Sequence, residues 1–248
     1  MVIDVAVIVP AYNEEKNIGE VVKRLKDSIE ARVIVIDDCS KDRTGEIAKK
    51  AGATVIRHTV NKGKGEALVT GFKDIIRNQP KIDFVIIIDA DLQYDPEDES
   101  KIIKALEEGY DYVTGFRYWK RDVPIRHTIA NLCWRKTFNF LFEVRLLDSN
   151  CGYIGMNKKA MRIISKGSYG GYIIDNMMLA AAIENKLKIK QVPVKVYYPE
   201  KRGSVTGIRF FLGNFLFIVE EGFKHRFDID LRIYQRIVRT RLIFSKGG

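Results

Sequence analysis

Two aspartates one residue apart, Asp89 and Asp91, stand directly after the apolar run FVIII in the segment FVIIIDADLQY, residues 84–94. Alternate residues of an extended chain point the same way. The two carboxylates flanking Ala90 can therefore converge on one hard divalent cation, which takes oxygen ligands and often shares them with substrate phosphates. An isolated D-x-D also occurs in many solvated acidic turns. Position sets this one apart, because a continuous apolar run marks a strand covered on both faces. Open α/β sheets bind their ligands just beyond the carboxyl ends of such strands.

Three further polar constellations follow other predicted strands. VIVPAYNEE offers Pro10, Tyr12, Asn13 and Glu14, VIVIDDCSKDRT offers Asp37, Asp38 and Ser40, and NKGKGEA sets Lys64 between two glycines. Each also has a plain structural explanation. Ser40 and Asp42 could cap the next helix, the glycines could merely turn the chain, and Lys64 could be solvated.

The elements that must position these groups alternate over the first 120 residues. Predicted strands VIDVAVIVP, RVIVIDD, TVIRH, FVIIIDAD and YDYVTGF are separated by helical patterns over 15–29, 44–51, 65–77 and 97–108. Short β-branched runs alternating with helices give right-handed crossovers and a parallel, doubly wound sheet. After residue 118 the pattern changes. A basic segment YWKRDVPIRH leads to a predicted helix over 128–142, a loop LLDSNCG, a strand YIGMN, a helix around 175–185 and a strand KIKQVPVKVYY.

Charge divides the chain in the same place. The 248 residues carry a net charge of +10, yet residues 1–120 hold 19 Lys and Arg against 22 Asp and Glu, while residues 121–248 hold 23 against 10. A basic half of this kind suits a polyanionic neighbour: anionic lipid, a phosphorylated substrate or nucleic acid. No nucleic-acid reading motif accompanies the charge, so nucleic acid is not expected. Cys39, Cys133 and Cys151 form no C-x-x-C pair and the three histidines are scattered, which argues against a zinc site and a disulfide framework and for a reducing, cytoplasmic compartment. The start MVIDVAVIVPAY has no signal-peptide pattern, and no apolar run reaches the ~18 residues of a membrane span.

From Gly207 onward the chain reads as a tail of amphipathic helices. Ile208, Phe211, Leu212, Phe215, Leu216 and Val219 recur at helical spacing. A second segment, LRIYQRIVRTRLIF, puts Arg232, Arg236 and Arg239 on one face, the pattern of a helix lying in a membrane interface. A helical hairpin packed on the domain, or a contact between two copies in a homodimer, accounts for the same periodicity.

The four strand-end segments in this order resemble the family 2 glycosyltransferases, and the resemblance covers roughly residues 3 to 200. It implies the α/β GT-A fold, a Rossmann-like nucleotide-binding half with a mostly parallel central sheet, here followed by the C-terminal amphipathic helices. It implies a pocket for a nucleotide-diphosphate sugar, a UDP- or GDP-hexose, built from Pro10, Tyr12, Glu14, Asp38, Lys64, Asp89, Ala90, Asp91 and Arg117. Asp38 would partner base or ribose. Asp89 and Asp91 would hold Mg2+ or Mn2+ against the diphosphate, with Gln93 adding to or orienting that metal site. Residues 1–120 would form the nucleotide-sugar and metal half, 121–206 the acceptor half, and 207–248 a membrane-surface or dimer-contact tail.

GFRY at residues 115–118 and D-x-x-C-G-Y at 148–153 look like the polyprenyl-phosphate glycosyltransferases, notably dolichyl-phosphate mannose and glucose synthases. In that subgroup Arg117 would contact phosphate, which its planar fork suits, and Asp175 would border the sugar. A lipid-linked phosphate acceptor is already anionic and needs no general base. A hydroxyl acceptor would need one, and Asp148 or Asp175 would be the candidate. The basic residues 121–135 with Lys201 and Arg202 would hold the acceptor phosphate. The expected activity is inverting hexose transfer to a polyprenyl phosphate at the cytosolic membrane face, by a peripheral enzyme. The alternatives are a soluble family member acting on a hydroxyl, and a non-catalytic basic protein that binds membrane or nucleic acid. The Q-x-x-R-W motif of processive synthases is absent.

Overall fold

The computed structural model describes residues 3–79, 81–117, 125–167, 174–197 and 205–231. Its centre is a seven-stranded sheet of β1 (Val5–Ala11), β2 (Ala31–Asp37), β3 (Thr54–Arg57), β4 (Phe84–Ile87), β5 (Tyr112–Arg117), β6 (Ile154–Asn157) and β7 (Ile189–Val194), in the spatial order β3-β2-β1-β4-β6-β5-β7. β1 pairs in parallel with β2 and β4, and β5 with β7. β6 alone runs antiparallel, against both β4 and β5. The expected mostly parallel α/β sheet is thus present, with one reversed strand inserted between β4 and β5.

Side-chain alternation builds two cores on the two faces of this sheet. Ala6 and Ile8 of β1 join Ile34, Ile36, Leu68 and Phe72 on one face. Val5, Val7 and Val9 join Val33, Val35, Ile18, Val21 and Leu25 on the other. α1 (Ile18–Ser28) buries Ile18, Val21, Val22 and Leu25, a stripe at helical spacing. α3 (Lys64–Asn78) buries Leu68, Phe72 and Ile75. It lies close on the sheet at Gly71, where a Cβ would meet Ile8 Cγ2 at 2.8 Å. α2 (Thr44–Lys50) and α4 (Glu99–Glu107), the latter entered through a 3-10 turn at Pro96–Asp98, complete the crossovers of the first half.

The second half adds α5 (Ile125–Leu141), α6 (Lys158–Ile164), α7 (Ile174–Glu184) and α8 (Val205–Phe227). The periodicity does not predict α6, although Asn157 caps it by accepting from Ala160 N at 2.9 Å, a signal readable in N-K-K-A. The first stretch of the tail is α8, and it packs on α5 and α7. Phe217 and Ile218 enter the larger core, and a Cβ on Gly222 would lie 2.5 Å from Leu141 Cβ, so the α5–α8 crossing is close. α8 thus packs on the domain, while the second tail segment beyond residue 231 lies outside the described residues. Among the described residues no helix is long and apolar enough to cross a membrane.

Candidate active site

The register brings the strand ends together. Ala11 lies beside Asp37 and Ile8 beside Ile87, so the loops after β1, β2 and β4 open on one edge, the place where α/β sheets bind ligands. There a cleft of about 500 Å³ is lined by Pro10, Tyr12, Glu14, Asp38, Lys64, Asp89, Ala90, Asp91, Gln93, Arg117 and Asp175, and also by Asn61, Tyr94, Asn150 and Gly152, to which no motif in the sequence assigns a site role. Asp148 stands behind Arg117 rather than in the lining.

The loops are held by unusual backbone. Asn13, Cys39 and Leu92, one in each strand-end loop, have φ of 54°, 63° and 57°. A left-handed residue costs roughly 1–2 kcal/mol outside glycine, and such strain persists where the surroundings over-determine it. Ser40 Oγ accepts from Asn13 N at 3.0 Å and Asn13 Oδ1 accepts from Lys41 N at 2.7 Å, which buttons the first loop to the second. Asp42 plays the helix-starting part expected of it, accepting from Thr44 N at 3.0 Å.

Asp38 is buried and shapes the loop before α3. It accepts from Lys62 N at 2.9 Å and Gly63 N at 2.7 Å, and its Oδ1 lies 2.7 Å from His58 Nδ1. Gly63, with φ of +90°, makes the turn that an L side chain rarely allows. His58 Nε2 lies in turn 2.9 Å from Thr70 Oγ1 on α3. This support for Asp38 is illegible in a sequence where the histidines are scattered.

Lys64, the first residue of α3, ends between two carboxylates: its Nζ is 2.8 Å from Asp89 Oδ1 and 3.1 Å from Asp175 Oδ2. Burial alone would lower its pKa, but Asp175 and Asp89 more than offset that and hold it raised. Burial pushes Asp175 up despite Lys64, and its Oδ1 is buried without a hydrogen-bond partner. Gly152 is needed here, since a Cβ would lie 2.6 Å from Asp89 Oδ2.

Arg117 closes the other side. Its Nε donates to Asp148 Oδ2 at 2.6 Å, and its Nη2 to Asp148 Oδ1 and to Asn150 O, both at 2.9 Å. Burial opposes the charge, yet Asp148 keeps the guanidinium firmly protonated. Beside it the buried Cys151 thiol is pushed up to about 12, first by burial and then by Asp148, and stays neutral. Of the proposed acceptor-holding basic residues, Arg121, Lys201 and Arg202 lie outside the described residues, while Arg135 donates to Leu147 O at 3.2 Å.

A divalent cation fits the donors present. Asp89, Asp91 and Gln93 bring hard oxygens to the cleft, and the unpartnered Asp175 Oδ1 adds negative charge near them. Among the described residues no group of three His, Cys, Asp or Glu side chains is placed to hold a metal ion by itself.

The fold is of the GT-A type. The family model for glycosyl transferase family 2 matches residues 6–165, and the chain belongs to that family. It is 36% identical to an uncharacterized protein of Methanocaldococcus jannaschii over 83% of this chain and 88% of that one. It is 31% identical to the UDP-N-acetylglucosamine–dolichyl-phosphate N-acetylglucosaminyltransferase of Methanococcus voltae over 78% of this chain and 85% of that one. It is 29% identical to the polyprenol monophosphomannose synthase of Mycolicibacterium smegmatis over 76% and 75%. In fold it is similar to glucosyl-3-phosphoglycerate synthase of Mycobacterium tuberculosis, solved with Mn2+, UDP and phosphoglyceric acid, with a TM-score of 0.72, 20% identity and coverage of 88% and 78%. The protein is a glycosyltransferase.

Proposed function

We propose that this glycosyltransferase moves a hexose, glucose or mannose, from a UDP- or GDP-sugar to a polyprenyl phosphate of the dolichyl type, with inversion and with Mg2+ or Mn2+, as a peripheral enzyme at the cytosolic membrane face. The observation that carries this reading is the meeting of Lys64, Asp89, Asp91 and Arg117, from three separate strand ends, in one cleft. The names of two relatives, one a dolichyl-phosphate and one a polyprenol enzyme, support the lipid phosphate acceptor.

Transfer breaks a bond to a diphosphate, so charge builds on the leaving group. A divalent cation, when bound by Asp89 and Asp91, would offset that charge as a Lewis acid. Lys64 adds a second cation beside Asp89, and Arg117, held by Asp148, brings a fixed guanidinium charge to the cleft wall. Asp175 borders the sugar and keeps Lys64 in place. With an anionic acceptor no side chain has to take a proton.

Membrane contact is supported by the surface of α5 and α8. Ile129, Leu132 and Phe140 recur along one exposed face of α5, with Leu212 exposed on α8, in the half of the chain with the basic excess. The same apolar residues could instead join two copies in a homodimer, and sedimentation with and without vesicles separates the two.

Turnover of a panel of UDP- and GDP-sugars, with and without a polyprenyl phosphate, tests the proposal on wild type and Asp91→Ala. Lipid-stimulated transfer lost in the variant supports it. Turnover indifferent to the lipid favours a hydroxyl acceptor with Asp175 as base, since Asp148 is spent on Arg117 outside the cleft lining.

A further inference from the structure

The carboxylate that Lys64 occupies is one of the two proposed for the metal. Its ammonium lies 2.8 Å from Asp89 Oδ1 and 3.1 Å from Asp175 Oδ2, with the side chain only 18% exposed. An ammonium has three donors, and two are directed at these carboxylates. The wall beside the pair is tight, for a Cβ on Gly152 would lie 3.1 Å from Lys64 Nζ and 2.6 Å from Asp89 Oδ2. A dication seated on Asp89 would therefore meet a fixed positive charge one contact away. In a cleft partly shielded from water such repulsion is strong.

A donor diphosphate changes this balance. Its oxygens give the ammonium a new anionic partner, while Asp175 retains a hold on it from α7. We propose that Lys64 is an internal counter-ion: it occupies Asp89 in the resting site and yields it when a nucleotide diphosphate enters, so that divalent cation binding is coupled to nucleotide binding. The inference rests on the metal-dependent reading given above and goes beyond it, since that reading requires only that Asp89 and Asp91 bind the cation. Without the counter-ion, two neighbouring carboxylates would attract metal before substrate and leave the site loaded with a misplaced ion.

The test is Mn2+ binding by the full chain, followed through the electron paramagnetic resonance signal of the free ion, with no nucleotide and with UDP or GDP. Lys64→Gln is expected to bind Mn2+ without nucleotide at least about tenfold more tightly than wild type, and the tightening produced by nucleotide should shrink correspondingly. Lys64→Arg keeps the charge and should stay near wild type. Asp175→Asn, which leaves the ammonium to Asp89 alone, should weaken nucleotide-free Mn2+ binding; this variant serves if Lys64→Gln does not fold. Equal nucleotide-free affinities in wild type and either neutralised variant would overturn the counter-ion role while leaving the enzyme reading intact. No Mn2+ binding by wild type with either nucleotide would instead bring down the metal-dependent reading, and the counter-ion with it.

Discussion

Arg117 at the end of β5 and Asp148 in the loop before β6 form a two-point ion pair, Nε to Oδ2 at 2.6 Å and Nη2 to Oδ1 at 2.9 Å, with Asp148 only 3% exposed. The pair fixes the guanidinium, through its Nε and Nη2, at the wall of the cleft. Breaking a buried pair from one side leaves an uncompensated charge, which costs about 3–5 kcal/mol. Asp148→Ala should therefore lower the melting temperature markedly. Arg117→Lys should fold better than Arg117→Ala yet lose transfer activity, because an ammonium cannot reproduce the fork. Calorimetry and turnover on these three variants check both points.

Asp91→Asn and Asp91→Ala should each reduce transfer about 10²- to 10³-fold, the scale of losing one electrostatic stabiliser of the transition state. A chelator should silence the wild type, and Mn2+ or Mg2+ should restore it. Retained turnover after chelation would separate this cleft from metal chemistry.

Asp175→Asn discriminates the acceptors. With a lipid phosphate acceptor the variant should keep transfer, at saturating nucleotide sugar and Mn2+, within about tenfold of wild type, whereas loss of a general base for a hydroxyl would cost about 10²- to 10⁴-fold. Steady-state rates with the preferred donor decide between them.

Two glycines near each other in sequence should behave differently. A Cβ on Gly155 would lie 2.1 Å from Ile102 Cγ2 in the core, so Gly155→Ala should destabilise by about 1–3 kcal/mol through overpacking. On Gly152 the Cβ meets the Asp89 carboxylate instead, so Gly152→Ala should raise KM for the donor with a smaller change in melting temperature. Melts and kinetics on the two variants read this directly.

Acid should loosen the edge between β5 and β7 through Asp111. Burial would raise its pKa, but hydrogen bonds from Lys188 N, Asn157 Nδ2 and Lys159 Nζ outweigh that and leave it lowered. A carboxylate with a lowered folded-state pKa binds fewer protons folded than unfolded. Its stabilisation is then present above the unfolded value of about 4 and fades as pH falls through the lower folded value. Urea melts between neutral pH and pH 2.5 should show this loss, and Asp111→Asn should be less stable at pH 7 with a shallower acid dependence.

Much of this molecule is legible in the amino-acid order because it is local. The β-branched runs, the stripe of Ile18, Val21, Val22 and Leu25, and the polar residues placed directly after each strand follow from periodicity. Periodicity states which face is apolar and where a strand must stop. The strand-end constellations bring out Pro10, Tyr12, Glu14, Asp38, Lys64, Asp89 and Asp91, and the family resemblance adds Arg117; all of these line the cleft, whereas Asn13, Asp37 and Ser40 of the same constellations do not. Pairing across the chain is a different quantity, set by which buried surfaces fit. That decided the reversal of β6, the cover that α5 and α7 give to α8, and the seating of Lys64 on Asp175, 111 residues away. It also turned Asp148 toward Arg117 and placed His58 beneath Asp38. A charge in a sequence carries no record of its partner; only folding, by removing water from both, makes one arrangement lower in free energy than the rest.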